Sequence, residues 1–588
     1  MRKKKDALTP GTEKSARSVA DAQAAMGMAC THSVERMLAA LGLGPAPLRF
    51  EACQSVSFGG VLCALPALAE NGLFEHQGRL PALPEGYYVR LHILLLLAYM
   101  ALCRIRTAEQ LRYEPPGELG KLLGLDRVPE VRTLRAKLAW LTQDAAAVAA
   151  WSAALSTQWL RRDPDAAGVL YVDGHVRVYY GEVARLPARY VSRERLCLRG
   201  TTDYWVNDQI GQPYFVVSCE FNAGLQAALR ELIVPRLLRE VPDQPTAAEL
   251  QADPWRYRFL LVFDREGSSP AFFQEMWEDH RIACVSYRKQ PMEPWAPAEF
   301  AEARVPLAAG GEVPMRLAER GTRWGHGLWV REIRKLSDGG QQTSLMTTAY
   351  GLAGLQVAAY LFSRWSQENF IKYMMQHFAI DALSEHGAEA VAETQEVVNP
   401  AWRRQDAVVR TLRQKLHMRQ AAYGALELDS ALHPAAVQRY QAQKTALREE
   451  LEVLQAQLER ARAERKALSR RLAVKDLPEA EQIKRLRPLR QQFLDTLKMI
   501  AYRAETGLCA LLRDEVGRLE DVRPLIRQIF RQDANLLPDP EHQRLTVAVH
   551  HLTNPQADAA AAALLAKLNT LAFQYPGTNL TLHYQLVS

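Results

Sequence analysis

Cysteine is scarce and scattered. The eight thiols, at positions 30, 53, 63, 103, 197, 219, 284 and 509, include no C-x-x-C pair, which argues against a structural zinc site and against a disulfide framework. Several of them, Cys219 and Cys284 included, lie inside apolar runs and read as reduced core residues of a cytosolic protein. Long hydrophobic runs are also missing. The most apolar one, Ile93 to Cys103, is too short to cross a bilayer and reads as a buried helix. Met1-Arg-Lys-Lys-Lys5 is followed by polar sequence, without the hydrophobic core of a secretory signal. A large charge imbalance is lacking too: the formal net charge is +7. That value permits a polyanionic partner and says nothing about fold. These absences describe a soluble intracellular protein with no membrane partner.

The 588 residues exceed what one core accommodates, so three or four domains are expected. Hydrophobic content of 48% and charged content of 24% are ordinary for a globular chain. Residues 1–46 are rich in Lys, Arg, Ser, Thr and Ala and read as a mobile basic N-terminus, with a helix around Val34 to Leu41. Residues 47–160 read as a helical domain. Within it, Thr107 can cap Ala108 to Arg112, Pro115-Pro-Gly117 ends that segment, and Glu118 to Leu123 is a short helix stopped by Gly124. Pro129 then starts a third helix, Glu130 to Trp140. Its apolar face is Val131, Leu134 and Leu138; its exposed side shows Arg132, Arg135 and Lys137. Two readings stand for this segment. One is a helix-turn-helix whose last helix enters a DNA groove, with Arg132, Arg135 and Lys137 as DNA-binding residues. The other is a small helical bundle with a solvated basic face.

Beyond Pro164 the hydrophobic period changes from helix to strand. Gly168 to Tyr180 alternates as one long strand with Asp173 in its middle. Thr201–Val206 and Pro213–Cys219 form a hairpin around a polar, Gly-containing turn. An amphipathic helix follows over Leu225–Glu240. Arg258 to Phe263 is a continuous apolar run of the kind a central strand shows, and it ends in Asp264-Arg-Glu-Gly267. A helix from Pro270 and a buried strand, Ile282–Tyr287, complete the pattern: three antiparallel strands, helix, strand, helix, strand. Residues 290–348 interrupt it with frequent Pro and Gly and with strand-like segments, and read as a mostly β insertion. Trp324 and Trp329 in this insertion either fill its core or stack on an unpaired base.

Residues 401–535 read as a helical region. From Leu447 the positions Leu451, Leu454, Leu458, Ala461, Leu468 and Leu472 keep heptad spacing, with Arg465 the exception. A coiled coil over about 440–475 is expected, either between protomers or as an intramolecular hairpin. Residues 536–588 read as a small α+β tail, with strands at Leu545–His550 and Leu580–Leu586 and an Ala-rich helix over 557–568.

One stretch carries an awkward charge. Tyr360 to Phe378 is apolar over much of the circumference of a helix, yet Arg364, Glu368 and Lys372 fall at successive i, i+4 steps. A carboxylate in a largely buried helix must be ion-paired or bind a metal. An internal ion-pair ladder satisfies it; so does a metal site, given partner acids. Asp173 within the first strand and Asp264 at the end of the fourth supply such partners if those strands are neighbours. Clustered carboxylates suit Mg²⁺ or Mn²⁺, and two such ions promote phosphoryl transfer on nucleic acid. His175 reads as a strand residue beside the site or as a phosphate contact, and Arg265 and Glu266 as turn residues holding Asp264.

Val172-Asp-Gly-His175, Val262-Phe-Asp-Arg-Glu-Gly267 and Arg364-Trp-Ser-Gln-Glu-Asn-Phe370 resemble the acidic motifs of bacterial insertion-sequence DDE transposases. The resemblance covers roughly residues 105–400 and, more loosely, the tail. It implies a ribonuclease H-like mixed α/β sheet flanked by helices, spanning 161–400 with the β insertion inside it. It implies Asp173, Asp264 and Glu368 as catalytic and metal-binding residues, supported by Arg364, Lys372 and His175. The implied function is cleavage of element ends and joining of 3′-hydroxyls to target DNA with Mg²⁺ or Mn²⁺. The implied partner is double-stranded DNA, both terminal inverted repeats and target, handled by a homodimer near the bacterial nucleoid. The sequence departs from the hairpin-forming subgroup at two points. Tyr360 is one residue too far from Arg364, and Lys372 lies only three intervening residues beyond Glu368. A transposase-derived DNA-binding scaffold without activity, or a non-transposing nuclease of the same fold, is the alternative.

Overall fold

The computed structural model describes residues 29–587, except 182–185, 187, 192–193, 220–223, 290–292, 308–309, 326, 363, 384–387, 391–395, 428–432, 479–483 and 487. Most of the basic N-terminal segment, residues 1–28, therefore lies outside the described residues, as do the side chains of Phe362 and Trp365.

Eighteen strands are described in all: β1 (Cys53–Val56), β2 (Val169–Val178), β3 (Ala188–Val191), β4 (Leu196–Asn207), β5 (Pro213–Cys219), β6 (Leu260–Phe263), β7 (Ala283–Tyr287), β8 (Ala301–Pro306), β9 (Glu312–Trp324), β10 (Leu328–Leu336), β11 (Gln342–Thr347), β12 (Ala388–Ala390), β13 (Glu396–Val398), β14 (Arg471–Ala473), β15 (Lys484–Leu486), β16 (Ala534–Asp539), β17 (Arg544–Val549) and β18 (Thr581–Leu586). Strands β2–β11 form a ten-stranded mixed sheet in the order β3-β4-β2-β6-β7-β11-β10-β9-β8, with β5 also on β4. The order follows from burial. All four residues of β6 are buried, as an apolar run without alternation requires, and β6 lies between β2 and β7 in parallel register. β4 runs antiparallel to both β2 and β5.

Over the residues expected to form an insertion, β8–β11 are four antiparallel strands that continue the main sheet. β11 pairs with β7, Leu345 facing Tyr287, so the edge that β7 would expose is covered. Among the helices, Leu225–Glu240 is continuous but widens into a π-type turn at Leu229–Ile233. The expected Tyr360–Phe378 helix is broken. Gly354–Phe362 and Trp365–Phe378 are separate helices, with Arg364 immediately before the second. The Tyr171 hydroxyl donates to the Tyr360 carbonyl at 2.8 Å, which satisfies that carbonyl from across the sheet.

The two ends of the chain share one core. β1 pairs with β16 in a four-stranded sheet, β1-β16-β17-β18. The helix Leu489–Leu512 packs against Leu65–Glu70, Arg90–Leu102, Ala145–Arg162, β5 and Pro555–Asn569. Trp151 stacks on Phe493 at 5.1 Å. This central helix also carries buried acids. Asp495 accepts from Arg177 of β2 at 2.9 Å, and Arg177 also binds Asp203 at 2.6 Å. Glu505 takes Arg104 at 2.5 Å and Arg523 at 2.9 Å. Residues 29–46 are docked as well. In the Ser33–Ala40 helix, Arg36 pairs with Asp126 at 2.5 Å.

The heptad segment is an intramolecular hairpin. Helices Pro400–Gly424 and Pro434–Ala467 pack antiparallel through Val409, Leu416, Leu458 and Ala461. Arg419 pairs with Glu450 at 2.9 Å and Arg465 with Asp406 at 2.7 Å. The helix stops at Ala467, short of the expected end. Leu472 instead belongs to β14, which pairs with β13, while β12 pairs with β15. Among the described residues no helix is long and apolar enough to cross a membrane.

Candidate active site

Register brings the two aspartates together. Val172 of β2 faces Phe263 of β6 in the parallel pair, so Asp173 and Asp264 are the next residues on neighbouring strands. Asp264 leaves the sheet at the turn Arg265–Gly267, and the Ser286 hydroxyl on β7 holds its carbonyl at 3.1 Å.

Glu368 arrives on the helix Trp365–Phe378. The fixing residue is its neighbour Gln367, whose side chain is wholly buried. Its Nε2 donates to the Tyr171 carbonyl at 3.1 Å, the Trp205 carbonyl at 3.2 Å and Asn207 Oδ1 at 3.2 Å. The Ser366 hydroxyl adds a bond to the Gln209 carbonyl at 2.9 Å. It does so where Gly211, with φ +89°, lets the β4–β5 turn come up beneath the helix. Sequence reading missed Gln367 and Ser366. The available signal was an amide on an otherwise apolar helix face.

The three acids converge on one guanidinium. Arg364 Nη2 lies 2.6 Å from Glu368 Oε1 and 3.8 Å from Asp264 Oδ1, and Nη1 lies 3.5 Å from Asp173 Oδ2. The Arg364 side chain is 13% exposed, whereas Glu368 is 58% exposed. Glu368 is thus on the open face of its helix rather than in the interior, because Gln367 takes the inward position. Burial, reinforced by the like charges of Asp264 and Glu368, pushes the Asp173 carboxyl up to about 6; Arg364 and the Gly174 amide pull it the other way. One guanidinium balances only one of three carboxylates, and that excess of oxygen donors fits a hard divalent cation in chemistry. As the side chains stand, with Arg364 among them, no group of three or more His, Cys, Asp or Glu among the described residues is disposed to hold a metal ion.

The supporting residues fall in different places. Lys372 is exposed, and among the described residues the Arg-Glu-Lys stripe reduces to the Arg364–Glu368 pair. His175 is buried, opposite Asp203 on β4. It lies on the same strand face as Asp173 and Arg177, deeper in the sheet. In the helix Val131–Leu141, Arg132 is exposed. Arg135 reaches back to Glu109 at 2.5 Å, and Lys137 donates to the Pro84 carbonyl at 3.3 Å. Trp324 is partly buried and packs edge-on against Phe273 of the core at 5.2 Å; Trp329 is half exposed and covers Gly321.

No curated protein and no solved structure matches this chain. Residues 27–588 match the model of the family described as "Transposase protein", Transposase_29. With three carboxylates gathered at the interior strands β2 and β6 of its central sheet and nearly its whole length within that family, the chain belongs to the transposases.

Proposed function

We propose that this transposase is of the DDE type and that Asp173, Asp264 and Glu368 form its reaction centre. The observation that carries the reading is their convergence, from two adjacent strands and one helix, on the single Arg364 guanidinium. A ribonuclease H-like core is supported by the order β5-β4-β2-β6-β7, with the first three strands antiparallel and the last two parallel to β2. The three acids would hold Mg²⁺ or Mn²⁺, which when bound supplies Lewis-acid activation of the attacking hydroxyl and charge for the leaving oxygen.

The chain's own groups have distinct parts. Asp173 and Asp264, fixed by strand register, present oxygens side by side. Glu368, fixed through Gln367, closes the third side from an exposed position that DNA can reach. Arg364 neutralises the acids in the resting protein and is placed to meet a phosphate that enters. Water attacks phosphorus at the element end and frees a 3′-hydroxyl. That hydroxyl then attacks a target phosphodiester and displaces its 3′-oxygen. Of the proposed DNA-binding residues, Arg132 and Arg135 are exposed, and Arg135 is paired with Glu109. Pairing of two element ends calls for two protomers.

Metal-dependent nicking of a duplex carrying an element end tests the assignment. Asp173→Ala, Asp264→Ala and Glu368→Ala should each lose cleavage and keep DNA affinity; a variant that still cuts removes its acid from the centre. A catalytically silent, DNA-binding descendant would show no nicking in the parent protein either. The Arg364 side chain filling the triad is the observation that favours this second reading. A plain nuclease would cut but yield no joined product from a pre-cut 3′ end.

A further inference from the structure

Beside Asp264 the sheet carries a cavity of about 460 Å³ lined by Arg265, Arg288, Lys289 and Arg334, with Gln342 and Ser344 among its polar walls. The cations come from three separate places: the turn after β6, the end of β7 and the middle of β10. Arg265 directly follows Asp264 in the chain. Their compensation is incomplete. Arg288 and Arg334 share one buried carboxylate, Glu332, at 3.0 and 2.8 Å, and that carboxylate also accepts the Ser344 hydroxyl at 2.6 Å. Lys289 donates to the neutral Glu266 carbonyl at 3.0 Å. Arg265 is exposed and has no ion pair among the described residues. Among the described residues that line the recess there are four cations and no acid, and the carboxylate they pair with, Glu332, lies in the wall behind them. The Arg288 Nε is buried with no acceptor among the described residues.

We propose that this recess binds a phosphodiester of the DNA strand held at Asp264, next to the bond that reacts. The assignment rests on the DDE reading for the strand's presence there, and on the recess itself for the chemistry. Guanidinium forks and an ammonium match phosphate oxygens. Among the described residues no aromatic ring lines the recess, so the sugar-phosphate backbone is the part of DNA it recognises. Its volume is that of a small-ligand site, ample for one phosphodiester with its sugars. The buried Glu332 keeps Arg288 and Arg334 fixed in place. Arg265 and Lys289 form the adjustable outer pair.

The test uses the full-length protein and the double variant Arg265→Gln/Lys289→Gln, chosen because both side chains are exposed and neither belongs to the acid triad. Binding of a fluorescein-labelled duplex with a 3′ single-stranded overhang is followed by anisotropy across a salt series. Each phosphate contact contributes about 0.7–0.9 to the slope of log affinity against log salt. The double variant should therefore lose about 1–2 in slope and bind several-fold more weakly at low salt. An unchanged slope and affinity would overturn the proposal. So would an unchanged DNA slope combined with lost retention of inorganic pyrophosphate, which would mark a site for free phosphates. If the parent binds with the expected slope difference but never nicks, the catalytic reading fails while the phosphate site stands.

Discussion

Gln367 donates from its buried side chain to the carbonyl of Tyr171 at 3.1 Å, two residues ahead of Asp173. This one amide sets the distance between the helix that carries Glu368 and the strand that carries Asp173. Gln367→Leu keeps the volume and removes the donor, leaving the Asn207 side chain and two carbonyls without it. Stability should fall by about 1–3 kcal/mol, and cleavage should fall further than DNA affinity. Urea melts and nicking rates on the same preparation decide this. Parent-like values in both would show that the helix is held by its apolar contacts alone.

Arg364 stands within 4 Å of all three acids, so its removal exposes their mutual repulsion. Arg364→Ala should melt at a lower temperature than the parent in EDTA. Mg²⁺ or Mn²⁺ should recover more stability in the variant than in the parent, because a ligand that binds only the folded state stabilises it in proportion to its affinity. Equal metal-induced shifts in the two proteins would count against a cation at this triad.

The Asp173 carboxyl is raised from 3.8 to about 6 in the folded protein. Below the lower value both states are protonated and the group costs nothing. As pH rises through this window the unfolded chain ionises freely and the folded one resists, so stability is lost up to about pH 6 and stays lost above it. Asp173→Asn should therefore be more stable than the parent at neutral pH in EDTA, by up to about 3 kcal/mol. The advantage should vanish below about pH 4. Thermal melts from pH 3 to 8 would show it; a constant difference across that range would contradict the shift.

Arg177 joins Asp203 and Asp495 in the interior, with all three side chains at most 2% exposed. Arg177→Met leaves two buried acids facing one another and should cost about 3–5 kcal/mol. The triple variant that adds Asp203→Asn and Asp495→Asn should regain part of that loss. If the triple variant is no better than the single one, packing rather than charge explains the cost.

Parts of this architecture were legible in the sequence because they depend on local pattern. The unbroken apolar run ending at Phe263 could only be a central strand. An acid four residues beyond Arg364 could be paired by spacing alone. Other parts depend on partners far along the chain. Nothing near Tyr360 announces that the Tyr171 hydroxyl will take its carbonyl and that the helix will break before Arg364. Gln367 looked like a polar interruption until β2 and β4 supplied its acceptors, and with it inward Glu368 turned out to be exposed. Leu472 continued the heptad spacing, but pairing with β13 took it into a strand. The coiled-coil seam left two partners open, and a second helix on the same chain occupies it.

The bond from the Ser55 amide to the Asn535 side chain joins residues 480 positions apart. On a ribosome adding about 5–20 residues per second, β1 waits on the order of half a minute or longer for its partner strand. The helix bearing Asp495 and Glu505 emerges only slightly sooner. During that interval Arg104 and Arg177 lack these counter-charges, and the first strand remains an open edge. The amino-terminal helices therefore reach their final packing late: the core they share with Leu489–Leu512 and the carboxy-terminal sheet closes only when the last fifth of the chain has emerged.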